Sequence, residues 1–384
     1  MSILTALQAK VDAVDSSTSM SEILKLMYTV KDHPYKSVYD SAGVMPLDSA
    51  SIGSIRYADN RNAMYMLVGV DSGWKLIDSD ASTGSGVAAA THGRQGISFG
   101  YFSGGNPPYT NVIEKFSFTV DGNATDVGDL TVTRGYVSGN SSTTNGYTTG
   151  GLPFSNVIDN FPFSVDTNAS DVGDLTVARY GHGGASSDDH GYSHGGEQPP
   201  SGGYNVIDKY TFASNANATD VGDITPAHGL YVNGNNSSTD GYAVGGYQPS
   251  SPSGFKNNIS KYSFASDGNT TDAGDMLTAA QGWSATAVSS TTHGYRHGNG
   301  TPTIYNVIEK FEFATDGDAT DVGDLSVTRY QTSGASSTTF GYAAGGVTPS
   351  NSNVIDKFPF ATDANATDVG DLTTSKKFGA GAQV

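Results

Sequence analysis

The sequence repeats a pattern of oxygen-bearing side chains that could bind a hard cation. Asp121, Asn123, Thr125 and Asp129 occupy positions one, three, five and nine of a turn, and five later turns carry equivalent residues. Alternating oxygen ligands that end in a carboxylate are typical of calcium loops. However, Thr or Ser at position five is a weak ligand, and Asp replaces the expected Gly at position six. We therefore expect hydrogen-bonded Asx-type turns and no cofactor, with calcium as the alternative.

The histidines are scattered and do not take one equivalent position in the repeats. Asp188, Asp189 and His190, followed by His194, come nearest to the donor set of a metal site. We expect these to be surface loop residues and predict no metal. The sequence has no Ser-His-Asp order and no phosphate loop, and an active site would break the near-uniformity of the repeats. The pattern therefore favours a protein without enzymatic activity.

Six variable loops contain proline, and five of them have an aromatic residue one or two positions before the next strand. If the loops emerge on one face, their exposed rings could stack on sugars or contact a protein partner. The alternative is that each ring packs on the neighbouring repeat. The predicted ligand-binding residues are Tyr109, Phe154, Tyr204, Phe255 and Tyr305.

A sequence motif that recurs six times shows that these loops belong to repeated units. It reads Asn-Val-Ile-Glu/Asp-Lys-Phe-x-Phe, then Asn-Ala-Thr-Asp-Val-Gly-Asp-Leu, and its copies start 45 to 52 residues apart. Ser-Ser-Thr-Thr-x-Gly-Tyr-x-x-Gly-Gly lies between the copies. Each unit is interpreted as four short strands, which is typical of propeller blades that bury both faces against their neighbours. The copies start at Asn111, Asn156, Asn205, Asn257, Asn306 and Asn353.

These repeats resemble the kelch type of β-propeller. The shared features are Gly-Gly after the second strand, as in Gly150-Gly151, an aromatic residue just before it, and Ile-x-x-Phe in the next strand. The double glycine suits a crowded axis. Residues 376–384 align with the first-strand segment 134–142, whereas the first unit lacks a good first strand. We predict a mainly β fold over 91–384: a six-bladed, kelch-like propeller of four-stranded blades, closed by the C-terminal strand.

The residues ahead of the repeats have a different pattern. Ile3, Leu7, Val11 and Val14 form an apolar stripe at helical spacing. Because a short helix is marginal alone, the stripe must pack against another surface. We predict a helical docking or oligomerisation arm over 1–45 and a homo-oligomer, for which a trimer is one form. A helical cap on the neighbouring module is the alternative.

A small β module is predicted over 46–78, and a linker of small polar residues over 79–90. Gly-x-Ile-Arg-Tyr from Gly53, the aromatic strand 64–68 and Trp74 resemble a module of tailed-bacteriophage fibre and other virion proteins. This resemblance covers about 25 residues. It implies a virion protein whose N-terminal arm binds other virion proteins.

Composition limits the classes of partner. The chain has 38 acidic and 20 basic residues, a formal charge of −18, which argues against nucleic acid binding. It has no cysteine, which excludes disulfides and thiolate metal sites. No apolar run approaches the roughly 20 residues that span a bilayer, so we expect no membrane insertion. The N-terminus lacks the pattern of a signal peptide.

The sequence thus predicts a non-enzymatic structural protein of a phage virion. In this interpretation the propeller is part of a tail fibre or tail tip and attaches to a host surface glycan or protein. Two alternatives stay open. One is a capsid-decorating structural protein; the other is a carbohydrate-active enzyme or lectin that acts on surface polysaccharide.

Overall fold

A computed structural model describes three strands between residues 55 and 78, and residues 95–384 with six gaps. The gaps are 199–201, 226–228, 230, 249–252, 280–287 and 301–303. The chain divides into two units between Thr91 and His92. Throughout the described residues, no helix is long and apolar enough to cross a membrane.

In the first unit, three strands form one antiparallel sheet with the second strand in the middle. Tyr57 is opposite Met64, and Met66 is opposite Lys75. These strands coincide with the ones predicted for the small β module. The predicted arm, with Ile3, Leu7, Val11 and Val14, and the linker lie outside the described residues. The strands are β1 (Ile55–Ala58), β2 (Ala63–Gly69) and β3 (Gly73–Asp78).

The second unit contains six four-stranded antiparallel sheets, called blades 1 to 6, and its described residues contain no α-helix. Blade 1 contains β4 (Phe99–Ser103), β5 (Thr110–Ser117) and β6 (Thr125–Arg134). Blade 2 contains β7 (Ser138–Ser141), β8 (Asn145–Thr149), β9 (Val157–Pro162) and β10 (Ser170–Asp174). Blade 3 contains β11 (Gly183–Ser186), β12 (His190–His194), the loop hairpin β13 (Glu197–Gln198) and β14 (Gly202–Gly203), β15 (Val206–Thr211) and β16 (Thr219–Asp223).

The remaining blades follow the same order from the innermost to the outermost strand. Blade 4 contains β17 (Asn233–Asn236), β18 (Asp240–Val244), the hairpin β19 (Tyr247–Gln248) and β20 (Gly254–Phe255), β21 (Asn258–Ser263) and β22 (Thr271–Asp275). Blade 5 contains β23 (Val288–Ser289), β24 (His293–Asn299), β25 (Tyr305–Glu312) and β26 (Thr320–Asp324). Blade 6 contains β27 (Ser333–Ser336), β28 (Phe340–Ala344), the hairpin β29 (Val347–Thr348) and β30 (Ser350–Asn351), β31 (Val354–Pro359) and β32 (Thr367–Asp371), and β33 (Ala380–Gln383) comes last.

The six sheets close into a ring. β33 pairs antiparallel with β4, with Ala380 opposite Ser103 and Gln383 opposite Gly100, and so completes blade 1. Each innermost strand contacts the next one around the axis, from β33 through β7, β11, β17, β23 and β27 back to β33. The predicted six-bladed β-propeller, with its C-terminal strand in the first blade, is confirmed.

Apolar side chains from adjacent blades share each core. The third strand of blade 2 buries Ile158 and Phe161, and Tyr101 of blade 1 packs against Phe161 with ring centroids 5.5 Å apart. Tyr147 of blade 2 makes the equivalent contact with Tyr210 of blade 3 at 5.7 Å. Because a ring from one blade completes the core of the next, each blade depends on its neighbours for stability.

The innermost strands approach so closely that one position requires glycine. A Cβ on Gly139 of blade 2 would overlap the carbonyl oxygen of Gly381 in blade 1, and one on Gly234 would overlap that of Gly184. The double glycine follows the second strand, as predicted, and therefore does not lie on an innermost strand at the axis. In blade 6, for example, this pair adopts left-handed backbone conformations, which glycine tolerates best. The prediction of which glycines crowd the axis was therefore wrong.

Buried ion pairs attach the connection between blades to the following blade. Arg179, ahead of β11, lies 2.9 Å from Asp208 on β15, and both side chains are fully buried. The backbone N–H and hydroxyl of Thr176 also donate to the Asp208 carboxylate, at 2.9 and 2.6 Å. Arg134–Asp159, Arg329–Asp356 and Lys376–Glu114 are equivalent pairs. Four blades are thus fixed by the same buried pairing.

Blades 4 and 5 depart from this pattern. In blade 5 the buried base is Arg296 on β24, which pairs with Glu309 on β25. In blade 4 Ser260 occupies the acidic position, and the basic position falls in the undescribed segment 226–228. A buried carboxylate is costly without a partner, so its absence from blade 4 avoids that cost.

Candidate ligand-binding face

The six acidic turns bind neighbouring blades to one another. The backbone N–H of Asp129 in blade 1 donates to Asn168 Oδ1 in the turn of blade 2 at 3.1 Å, and Ala169 N–H donates to the Asp129 carbonyl at 2.8 Å. Both bonds recur at every interface between blades. The other side-chain bonds join Asp174 to Asn217, Asp223 to Asn269, Asp275 to Asp318, Asp324 to Asn365 and Asp371 to Asn123.

In five of the six turns, the side chain of the first residue pairs with a lysine of the preceding blade. Lys209 Nζ of blade 3 lies 3.0 Å from Asp267 Oδ1 in the turn of blade 4. Between blades 2 and 3, Asn160 stands at the lysine position and Asn215 at the aspartate position. Because both charges are replaced together, neither side of that interface has an unpaired ion. The four equivalent pairs are Lys115–Asp166, Lys261–Asp316, Lys310–Asp363 and Lys357–Asp121.

The turns also have the internal hydrogen bond expected of Asx-type turns. Asp126 Oδ1 accepts from Gly128 N–H at 3.2 Å, and the bond recurs in the other five turns. In the described part of the chain, no three His, Asp or Glu side chains converge as metal ligands would. The oxygens of the first, third and sixth turn positions therefore serve mainly to join blades and shape turns.

The structure does not bring the candidate metal residues together. His190 and His194 lie at opposite ends of β12. His194 is fully buried, and its Nδ1 lies 3.1 Å from Tyr262 Oη of the next blade. The prediction of a surface loop residue is wrong for His194, because the end of the second strand faces the interior between blades.

The proline loops lie beside the segments that lead into the innermost strands. A backbone bridge joins Tyr180 to Glu197 in blade 3, and another joins Tyr330 to Val347 in blade 6. Loop and lead-in segment are therefore at the same end of the strands, and we call this end of the ring the loop face. Similar bridges join Asn106 to Lys377, Gly135 to Leu152 and Gly229 to Tyr247.

Several lead-in residues adopt left-handed backbone. Tyr136, Tyr231, Gln331 and Phe378 have φ angles of 53° to 62°, which are rare for residues with a side chain. This conformation carries hydrogen bonds around the axis: Phe378 N–H donates to the Gln331 carbonyl at 3.2 Å, and Tyr136 N–H to the Phe378 carbonyl at 2.8 Å. Gly181 N–H continues the series to the Tyr136 carbonyl at 3.0 Å. The bonds between blades offset the local strain.

The same segments bring aromatic rings and one carboxylate together. Tyr180 is central: its ring centroid lies 5.6 Å from that of Tyr136, 5.7 Å from Phe154 and 6.2 Å from Tyr231. Its hydroxyl donates to Glu197 Oε2 at 2.5 Å. We call Tyr136, Phe154, Tyr180, Tyr231 and Glu197 the tyrosine cluster. Phe154 is 51% exposed and the other four are half-buried, so the cluster reaches solvent.

The environment of the cluster keeps its tyrosine hydroxyls protonated. Burial raises the pKa of Tyr136 to about 12, with further contributions from Tyr109, Tyr231 and Tyr330. Burial, followed by the hydrogen bond to Glu197, raises the pKa of Tyr180 well above its ordinary value. Burial also raises the pKa of Tyr231, whose hydroxyl donates to Glu197 Oε2 at 3.2 Å. Near neutral pH these groups therefore serve as hydrogen-bond donors.

Of the five predicted ligand-binding residues, only Phe154 belongs to the tyrosine cluster. Tyr109 is 37% exposed and close enough to raise the pKa of Tyr136. Tyr204 donates its hydroxyl proton to Gln198 at 2.6 Å, and Phe255 packs against Tyr247 within its own hairpin. Tyr305 is 38% exposed, and no other ring of the described residues packs on it. Within the described residues, the rings of these five residues make no contact with one another.

Sequence reasoning missed Tyr136, Tyr180, Tyr231 and Glu197. A signal for most of the lead-in rings was present, because an aromatic residue follows the basic residue that ends a unit, as in Arg134-Gly-Tyr136 and Arg179-Tyr180. The repeat pattern predicts these segments as parts of first strands. The structure places them ahead of those strands, where their rings remain partly exposed.

No protein-family model matches the sequence, and no curated protein matches it. A solved structure of the protein YjhT is similar, with a TM-score of 0.55 and 12% sequence identity. The match covers 65% of this chain and 88% of YjhT. At this identity, the similarity shows the fold alone.

Proposed function

We propose that the propeller is a non-enzymatic binding head and that the tyrosine cluster binds a surface glycan. The observation that carries this proposal is the meeting of Phe154, Tyr180 and Glu197 on the loop face, partly open to solvent. Aromatic faces can pack against the C–H face of a sugar, and a carboxylate accepts hydrogen bonds from sugar hydroxyls.

The chemistry of the cluster favours binding over cleavage. Glycosidases commonly place two carboxyl groups on either side of the scissile bond, about 5–10 Å apart. Among the described residues, Glu197 is the carboxylate that hydrogen-bonds to the cluster, and two tyrosine hydroxyls already donate to one of its oxygens. It is therefore suited to act as a fixed acceptor.

Phe154→Ala should weaken glycan binding about five- to tenfold, because an exposed stacking ring contributes roughly 1 kcal/mol. Tyr305→Ala is the matched control, since it removes an exposed ring that directly follows the equivalent loop of blade 5. Biolayer interferometry on polysaccharide extracted from the host surface measures both affinities, and thermal melting confirms folding. Equal losses in both variants would indicate that the whole ring of loops binds. Shortened polysaccharide chains would favour the enzyme alternative.

We further propose that the chain is a virion component, most simply of a tail fibre or tail tip, with the propeller used for host attachment. The support is the resemblance of residues 53–76 to phage fibre modules. Residues 1–45, with the stripe Ile3, Leu7, Val11 and Val14, are the proposed arm for other virion proteins and for self-association as a homo-oligomer.

Mass spectrometry and cryo-EM of purified particles should find the chain on the tail or on a fibre. Deleting residues 1–45 should remove it from those particles, because the arm is the proposed attachment. A propeller located on the capsid would instead support the capsid-decorating alternative. Particles that lack the chain would overturn the virion proposal.

A further inference from the structure

Both tyrosine hydroxyls that bind the Glu197 carboxylate donate to the same oxygen. Tyr180 and Tyr231 both donate to Glu197 Oε2, at 2.5 and 3.2 Å. Within the described residues no donor lies on Oε1, and Glu197 is partly exposed to solvent. The two tyrosines thus fix the orientation of the carboxylate and leave one oxygen for a ligand.

The rings of the tyrosine cluster suit a flat, weakly polar ligand face. Tyr136, Phe154 and Tyr231 each meet the Tyr180 ring at 62° to 86°, so edges and faces alternate across the surface. Such a surface is uneven and offers separate ring faces for stacking. A cage for a quaternary ammonium group, in contrast, directs several ring faces at one point.

The charges near the cluster do not suit an acidic ligand. Recognition of a carboxylate or sulfate commonly uses an accessible arginine. The four arginines of the described propeller residues, Arg134, Arg179, Arg296 and Arg329, are all buried in ion pairs. Lys377 lies over the Phe378 ring at 5.2 Å, at the far end of the series of rings that runs through Tyr136 to Tyr180. An acidic sugar at Glu197 would face a like charge on a chain of net charge −18.

From this arrangement we infer that the tyrosine cluster is selective for uncharged sugars. A hydroxyl of the sugar donates to Glu197 Oε1, and its C–H face packs on Phe154 or Tyr180. This inference rests on the proposed glycan-binding function and specifies its ligand class.

The test uses the full chain on an array of neutral hexose and N-acetylhexosamine oligomers. Matched oligomers that carry uronic acid, sialic acid or phosphocholine are printed beside them. Binding should be confined to neutral oligomers, and Glu197→Gln should weaken it about tenfold, because the charge-assisted bond to Oε1 is lost. Tyr231→Phe should weaken it only a few-fold, because Tyr180 still fixes the carboxylate.

Glu312→Gln is the matched control, since Glu312 is an exposed carboxylate at the other end of the strand that begins at Tyr305. Its affinity should be unchanged, and equal melting temperatures show that the variants are folded. Selective binding to acidic or phosphocholine oligomers would overturn the inference while leaving glycan binding intact. So would neutral binding that Glu197→Gln does not alter. If no glycan binds, the proposed function itself fails.

Discussion

Asp208→Asn should lower the free energy of unfolding by about 3–5 kcal/mol, the usual cost of removing one partner from a buried ion pair. Arg179 is fully buried, and Asp208 is the counterion 2.9 Å away. Because asparagine is nearly the same size as aspartate, the loss of stability reports the removal of the charge and not a change in packing. The substitution also weakens both hydrogen bonds from Thr176, which hold the connection between blades 2 and 3.

Lys209→Gln is the control for this experiment, because it removes the neighbouring lysine of β15. That lysine pairs with Asp267 near the surface, so its loss should cost at most about 1 kcal/mol. Urea unfolding measures both changes. A double variant, Arg179→Met with Asp208→Leu, should recover much of the lost stability, since apolar replacement of a whole buried pair is often neutral. Equal costs for the two single variants would contradict the assigned role of the buried pair.

Acidification should destabilise the propeller below pH 6.5 through two buried histidines. Burial lowers the pKa of His182 well below its usual value and that of His297 to about 3. In the unfolded chain both residues take up protons below about pH 6.5, whereas in the folded state they stay neutral. The unfolded state therefore binds more protons, and stability falls with falling pH by roughly 2.5 kcal/mol per pH unit for the pair.

Urea titrations at pH 7, 6 and 5 measure this slope. His182→Gln with His297→Gln should flatten it, because glutamine keeps a polar side chain that does not titrate, whatever the substitutions cost at pH 7. His182 Nε2 lies 2.9 Å from Thr149 Oγ1, and His297 Nδ1 lies 3.0 Å from Thr332 Oγ1, so each site offers a partner to an amide. An unchanged slope in the double variant would assign the acid sensitivity to other groups.

The sequence was sufficient for the architecture because the same local signals occur six times. Each unit combines strand formers, a turn rich in Asn and Asp, and a phrase ending in glycine. A unit whose own pattern is weak can therefore be assigned by alignment with the other five. The alignment of residues 376–384 with 134–142 predicted ring closure. In the structure the ring is closed by the pairing of β33 with β4.

The tyrosine cluster could not be predicted in the same way, because its geometry arises between units. Tyr136 and Phe378 are far apart in the chain and stack only once blades 1 and 2 are neighbours in the closed ring. Glu197 meets Tyr231 across a blade boundary. A pattern read within one repeat contains no information on such pairs, and it also gave no sign that His194 is buried.

The sequence nevertheless contains a signal for one contact between blades. Asn160 replaces lysine in the same interface where Asn215 replaces aspartate, and the other five interfaces retain both charges. Comparing substitutions between successive units would have indicated that these positions face one another. Internal repeats can thus supply paired substitutions within a single chain.

Ring closure has a consequence for synthesis on the ribosome. β4 is made early, but its partner β33 is made last of the described strands. At about 5–20 residues per second, roughly 15–55 s separate the two strands. During that time the edge of β4 lacks its own partner and can accept the equivalent strand of another copy. Nascent chains that emerge close together on one messenger are therefore exposed to exchange of β33 between rings.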